Sequence, residues 1–395
     1  MVPEELLDES RALKHLMDLL AVEGLSGREG KVAAMVRGKL LAAGCKASWI
    51  RHDRANRRMS GDFEIGNLIA RIPGTIRAPR RMFVGHLDTV PLCRGAKPLR
   101  KGSRIVSRGM TALGGDNRTA VACLVNVIEA VLKRNLPRPP LTVLFTVGEE
   151  IGLCGSRFVA LADLDYPNMG FNIDSGNPRE LVIGAVGADR WEAEVMGRSS
   201  HAGLHPEDGI SASLIASRAI ADVAEKGYFG KIVRGKKCGT SNVGIIRGGE
   251  ATNQVTDHVF VKGESRSHDR RFLKEITGAY RTAFARAAKS VKNARGRVGS
   301  VKFRAAREYE AFCLDEGAPP VTMAAQRARC LGLEPKLVRG NGGLDANQLN
   351  ARGVPTVTLG AGQHNAHTVD EYIDVREYLT GCRLAILLAT EMESL

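Results

Sequence analysis

The sequence predicts an α/β protein: a mostly parallel central sheet flanked by helices, interrupted by an inserted α+β domain. Two observations predict it. Short apolar runs alternate with stretches of helical apolar spacing over the first part of the chain and again near its end, as βα units do. Between them lie strands with one wet face, the mark of a smaller antiparallel sheet. Glycine fills 44 of 395 positions, which suits tight strand-to-helix turns. With 44% apolar and 25% charged residues, the chain can bury a sizeable core, and its length suits two domains.

Leu6 to Val22 and Val32 to Ala43 carry apolar residues at helical spacing. Glu64 to Ile72 and Arg81 to Gly85 read as short strands. Ala120 to Leu132 is apolar almost all round, so it predicts a buried helix. Leu141 to Val147 is a β-branched run for a sheet centre. Met169 to Ile173 and Leu181 to Ala185 add strands. Arg190 to Met196 alternates apolar and charged residues, followed by a helix at Gly209 to Ala224 and strands at Ser241 to Ile246 and Val259 to Glu264. Phe272, Ile276, Tyr280, Phe284, Ala287 and Val291 form one helical stripe. After Ala311 the βα pattern returns, with a helix at Val321 to Leu331 and strands at Lys336 to Val338 and Thr356 to Leu359. The expected domains are therefore 1–186 with 311–395, and an insert at 187–310.

The opening MVPEELLDES lacks a basic and then apolar leader, and no apolar run is long enough to cross a membrane. Eight scattered cysteines without CxxC spacing argue against a zinc ribbon or a disulfide framework and for reduced thiols in the cytoplasm. The formal charge of +14 raises nucleic acid as a partner. However, the basic runs carry no interleaved aromatics and no helix-turn-helix or zinc-finger spacing is visible, so a solvated basic face is expected. Such a field can also steer an acidic substrate.

His86 and Asp88 close one strand. Residues two apart on a strand point the same way, so both reach the carboxyl edge, where open α/β sheets bind ligands. His86 can ligate a metal while Asp88 supports it; the plain alternative is a loop histidine beside a solvated aspartate. Asp116, after Gly114-Gly115, can span two cations or simply cap a helix. Glu149-Glu150 ends the buried run, where two adjacent acids either lie in solvent past the strand end or need a cation to compensate them. A metal can take one, leaving the other as general base. Asp174 follows the strand Met169 to Ile173 and His367 a Gly-rich turn after Thr356 to Leu359, and either can be an ordinary loop residue when read alone. As a set, two histidines and three carboxylates at strand ends or a helix start suit two zinc ions sharing one carboxylate. Magnesium alone would seldom recruit two histidines.

GHLDTVP, LGGDNRTA, TVGEEIGLCGS, NIDSG, GRSSHAGLHPEDG, GGEATNQV, GESRSHD, GGLDAN and HTVDEY run in this order along nearly the whole chain. Together they resemble the two-zinc exopeptidase family of peptidase T, glutamate carboxypeptidases, aminoacylases and succinyl-diaminopimelate desuccinylase, closest to the peptidase T-like branch. The resemblance implies that His86 and Asp174 hold one zinc, Glu150 and His367 the other, and that Asp116 bridges them. Glu149 would be the general base and Asp88 the partner of His86. His201 would polarise the scissile carbonyl, and Asn253 and Arg266 would contact substrate. The insert would be a dimerisation or lid domain, giving a homodimer. One departure stands out: the bridging aspartate is usually followed by Asp-Lys in the peptidase T group and here by Asn117-Arg118, so cobalt or manganese are alternatives to zinc.

The expected activity is zinc-dependent hydrolysis of an amide in short peptides, as in a tripeptide aminopeptidase. The rival within the family is an N-acyl amino-acid deacylase or carboxypeptidase. A rival of another class is a polyanion-binding protein on a decayed hydrolase fold, motivated by the charge and opposed by the complete set of presumed ligands and base. Neither nucleic acid nor membrane is an expected partner.

Overall fold

The β-branched and aromatic runs become the middle of one sheet, because only a strand covered on both faces tolerates apolar residues at consecutive positions. The structure, a computed structural model, describes residues 6–391; the first five residues of the amino-terminal stretch read above lie outside them. In spatial order the main strands are Ile50–His52, Leu68–Ile72, Leu141–Thr146, Arg81–His86, Met169–Ser175, Thr356–Gly360 and Glu180–Ala185. The four from Leu141–Thr146 to Thr356–Gly360 are parallel. Leu68–Ile72 and Glu180–Ala185 flank them antiparallel. The sheet is thus mixed, with a parallel centre between antiparallel flanks.

The helix Gly115–Lys133 is buried along almost its whole length. It lies close to the sheet at Gly85, where any Cβ would come within 2.6 Å of the Ala120 Cβ. Glycine there lets strand and helix approach. Because the central strands are parallel, their carboxyl ends share one edge. His86 ends its strand, Glu149 and Glu150 follow Leu141–Thr146, and Asp174 lies inside Met169–Ser175, one residue before its end. A small four-stranded sheet (Gln363–His364, Tyr372–Asp374, Arg104–Ser107, Pro98–Lys101) accompanies it.

The chain forms two compact units. One takes the residues up to Gly184, Cys313–Gly340 and those from Leu344 onward; the other takes Ala185–Phe312 with Asn341–Gly343. The second unit is an antiparallel sheet in the order Gly230–Arg234, Lys237–Gly248, His258–Ser267, Gly187–Met196, Ser300–Tyr309. Helices Ala212–Glu225 and Arg270–Ser290 bury their apolar faces in its core. Trp191 anchors that core, 4.3 Å from the Tyr280 ring and 5.6 Å from that of Phe303.

Candidate metal centre

Asp116 sits between two histidines. Its Oδ1 lies 3.1 Å from His86 Nε2 and its Oδ2 3.3 Å from His367 Nε2. His86 Nε2 is also 3.8 Å from Asp174 Oδ1, and His367 Nε2 is 2.9 Å from Glu150 Oε1. Two donor sets result, His86–Asp116–Asp174 and Asp116–Glu150–His367, each with its ligand atoms within 4.8 Å of one another. The two sets share Asp116. Glu149 belongs to neither: its Oε2 approaches His86 Nε2 to 4.0 Å. That leaves its carboxylate beside the donors and available for proton transfer.

The turn carrying Glu149 and Glu150 is held by side chains from earlier in the chain. Four consecutive backbone N–H groups are taken up: Val147 N–H donates to Asn67 Oδ1 (3.2 Å), Gly148 N–H to Glu29 Oε1 (2.9 Å), Glu149 N–H to Asp88 Oδ1 (3.0 Å) and Glu150 N–H to Asp88 Oδ2 (3.2 Å). Ser26 Oγ also donates to Asp88, at 2.7 Å. A side chain on Gly148, at φ 60°, would run into the Phe63 ring at 2.5 Å. Asp88 therefore does more than partner His86. The His86 Nδ1 is 3.0 Å from the Asp88 main-chain oxygen but 3.5 Å from its carboxylate. The carboxylate accepts instead from the two glutamates' backbone N–H groups and from Ser26 Oγ. Glu29, Asn67 and Ser26 were not visible as site residues in the sequence, because they act on a turn far away in the chain and carry no pattern of their own.

Asn117 and Arg118 face inward. Asn117 Nδ2 donates to the Ile173 carbonyl at 2.8 Å, next to Asp174, while its Oδ1 accepts from Ala120 N–H at 3.2 Å. An aspartate oriented the same way would set an anion against that carbonyl. The Arg118 guanidinium donates to the Leu87 and Val22 carbonyls. Burial pushes its pKa down to about 10, with Asp88 opposing the shift.

The donor chemistry fits divalent cations. Among the described residues, only histidines form ion pairs with Asp116, Glu150 and Asp174. Burial raises Glu149 and Asp174 well above the carboxylate range, and neighbouring carboxylates add to both shifts. Burial alone would lower His86, yet Glu149, Asp116, Asp88 and Asp174 outweigh it and hold it well above its ordinary value. Hydrogen bonds to Asp116 and Glu150 raise His367 to about 10. Such a field attracts positive charge. Imidazole with carboxylate is a donor mixture suited to zinc and its neighbours rather than to magnesium or calcium.

His201, Asn253 and Arg266 belong to the other unit. His201 is exposed, and its Nδ1 accepts from Gly203 and Leu204 N–H at 3.2 Å each. Asn253 is exposed, and its main-chain carbonyl accepts from Ala202 N–H at 2.8 Å. Arg266 is held bidentately by Glu264, at 2.8 and 3.1 Å.

Paired histidine–carboxylate sets at the carboxyl edge of a mixed sheet suit a metal-dependent hydrolase. The chain belongs to Peptidase family M20/M25/M40, which it matches over residues 82–391. It is 27% identical over 387 residues to the uncharacterized protein YqjE of Bacillus subtilis, covering 98% of this chain and 99% of that one. A tripeptidase from Staphylococcus aureus superposes with a TM-score of 0.86 at 27% identity, covering 97% of this chain and 98% of that one. The aminopeptidase PepT of Bacillus cereus superposes with a TM-score of 0.81 at 30% identity, with the same coverage. The resemblance to this family and the fold class expected from the sequence both hold, and the chain is a peptidase-family enzyme.

Proposed function

We propose that the protein is a zinc-dependent aminopeptidase of tripeptides and other short peptides. The observation that carries this reading is the shared Asp116, one oxygen turned to His86 and the other to His367. The similarity to a tripeptidase and to PepT supports the substrate class. His86 and Asp174 would hold one cation, Glu150 and His367 the other, with Asp116 between. When bound, the cations supply Lewis-acid polarisation of the scissile carbonyl and make water more acidic. Glu149 takes the proton from the attacking water and delivers it to the leaving amine. Asp88 keeps Glu149 and Glu150 in register through their backbone N–H groups. His201, Asn253 and Arg266 keep the substrate-contacting roles that the resemblance implies.

The same reading places the enzyme in the cytoplasm as a homodimer through the second unit, with that unit as the dimerisation or lid domain. Eight cysteines without a disulfide are consistent with a reducing compartment. Among the described residues no helix is long and apolar enough to cross a membrane.

The test is amide cleavage by zinc-loaded protein of free-amine tripeptides, the same peptides N-acetylated, and N-acyl amino acids, each with and without chelator. Chelator-sensitive cleavage of the free-amine tripeptides alone is expected. Cleavage of blocked substrates alone would replace the aminopeptidase reading with the deacylase or carboxypeptidase one. Glu149→Gln is expected to lower kcat by about 10²-fold or more with unchanged zinc content. Wild-type turnover in that variant would remove Glu149 as the base.

A further inference from the structure

Glu371 is 2% exposed, yet it ends no central strand and belongs to neither donor set. Its carboxylate is filled by the backbone of a distant loop. Oε2 accepts from Leu113 N–H at 2.7 Å and Gly114 N–H at 2.8 Å, and Oε1 accepts from Asp116 N–H at 2.9 Å. Three N–H groups converging on one buried carboxylate form charge-assisted bonds, which are stronger than neutral ones. Glu371 also shares a tight turn with His367. Glu371 N–H donates to the Thr368 carbonyl at 3.2 Å, Thr368 Oγ1 to the Asn365 carbonyl at 2.8 Å, and Asn365 Nδ2 to the Asp370 carbonyl at 3.3 Å. One side chain thus ties the loop that delivers Asp116 to the turn that delivers His367.

The two donor sets are supported unequally. His86 and Asp174 stand on central strands, and Asp174 Oδ1 accepts a further bond from Gln363 Nε2 at 3.3 Å. His367 stands on a turn, with its side chain 50% exposed and its backbone at φ 65°. We infer that Glu371 is a positioning residue that clamps the Asp116 loop to the His367 turn, and so sets cation affinity at Asp116–Glu150–His367 separately from His86–Asp116–Asp174. This rests on the proposed reading that these two sets hold two cations. The close packing around Gly115 gives an independent handle on the clamp. A Cβ there would lie 3.1 Å from Glu371 Oε1 and 3.0 Å from Ile373 Cγ1, so a side chain at this position presses directly on the clamp.

The experiment uses metal-free full-length protein in two measurements. Zinc is titrated against a competing chromophoric chelator for wild type, Glu371→Gln, Gly115→Ala and His367→Ala. Amide hydrogen exchange is followed across residues 113–116 in the absence of metal. Glu371→Gln is expected to keep one equivalent at wild-type affinity and to weaken the other by about 10–100-fold, the usual effect of losing a group that orients a ligand. Its 113–116 amides should exchange faster, and Gly115→Ala should show the same two changes in a folded protein even if Glu371→Gln proves unstable. Two equivalents bound at wild-type affinity, or both weakened equally in a folded variant, would overturn the inference. If His367→Ala itself retains both equivalents, the cation reading fails instead. The clamp then stands or falls on whether exchange at 113–116 responds to Glu371→Gln.

Discussion

Glu29 shows what a single buried carboxyl does for this site. It is 0% exposed and accepts N–H bonds from Gly27 and Gly148, both at 2.9 Å, while its Oε2 has no hydrogen-bond partner. Burial first, and then the nearby Asp88 charge, raise its pKa from 4.5 to about 7. For an acid raised on folding, the associated stability is fully present below the unfolded pKa near 4.5 and is lost as pH rises through about 7. Metal-free wild-type protein should therefore lose on the order of 2 kcal/mol between pH 5 and 8 relative to Glu29→Gln, whose neutral amide can still accept both N–H bonds. Urea midpoints of the two proteins at the two pH values measure this. A difference that stays constant with pH would mean that Glu29 is ionised throughout. Asn117 teaches a related lesson. The loss of a charge beside the metal ligands, conspicuous in the sequence, is matched in the structure by a side chain that must donate to the Ile173 carbonyl.

Among the elements, those covered on both faces were the legible ones. Arg81–His86, Leu141–Thr146, Met169–Ser175 and Thr356–Gly360 carry consecutive apolar residues because nothing on either side is wet. The edge strand Ser300–Tyr309 did not announce itself, since SVKFRAAREY spreads charge over a largely solvated strand. The four-residue strands of the small sheet are too short and too basic to show a period. The helix Val375–Ala389 went unread although Asp374 caps it, accepting from Arg376 and Glu377 N–H at 2.9 and 3.0 Å. The candidate ligands were legible because strand ends and short motifs mark them. Their supports were not, because Glu29, Asn67 and Glu371 act across long stretches of chain. The turn after Leu141–Thr146 can be tested as an element at Gly155. A Cβ there would lie 2.3 Å from Asn67 Oδ1, 2.7 Å from Val147 N and 2.8 Å from Val147 O. Backbone atoms cannot swing aside, so Gly155→Ala should cost about 1–3 kcal/mol. It should also unseat Val147–Glu150, seen as a lower thermal midpoint together with reduced zinc content. An unchanged midpoint would show that the turn is free to shift.

At the scale of the whole molecule, nine short motifs in a fixed order spoke for the family more clearly than any single element spoke for the fold, but neither explains the net charge of +14. Part of that charge has a definite place. Between His86–Asp88 and Asp116 the chain makes an excursion bearing Arg94, Lys97, Arg100, Lys101, Arg104 and Arg108, with no acid from Thr89 to Gly115. All six side chains belong to exposed residues. Because this segment joins two site-bearing stretches, its field is expected to act on substrates approaching the metal centre. Such steering works through the encounter rate and weakens as salt shortens the Debye length from about 30 Å at 0.01 M to about 10 Å at 0.1 M. An acidic tripeptide should therefore lose kcat/KM over that salt range more steeply than a neutral one, while a basic tripeptide should gain. Reversing Lys101 and Arg104 to glutamate should flatten the acidic peptide's slope and leave its kcat unchanged, because steering alters encounter and not chemistry. Equal slopes for all three peptides would mean that the positive surface plays no part in substrate capture, and its role would then have to be sought in solubility or in an anionic partner.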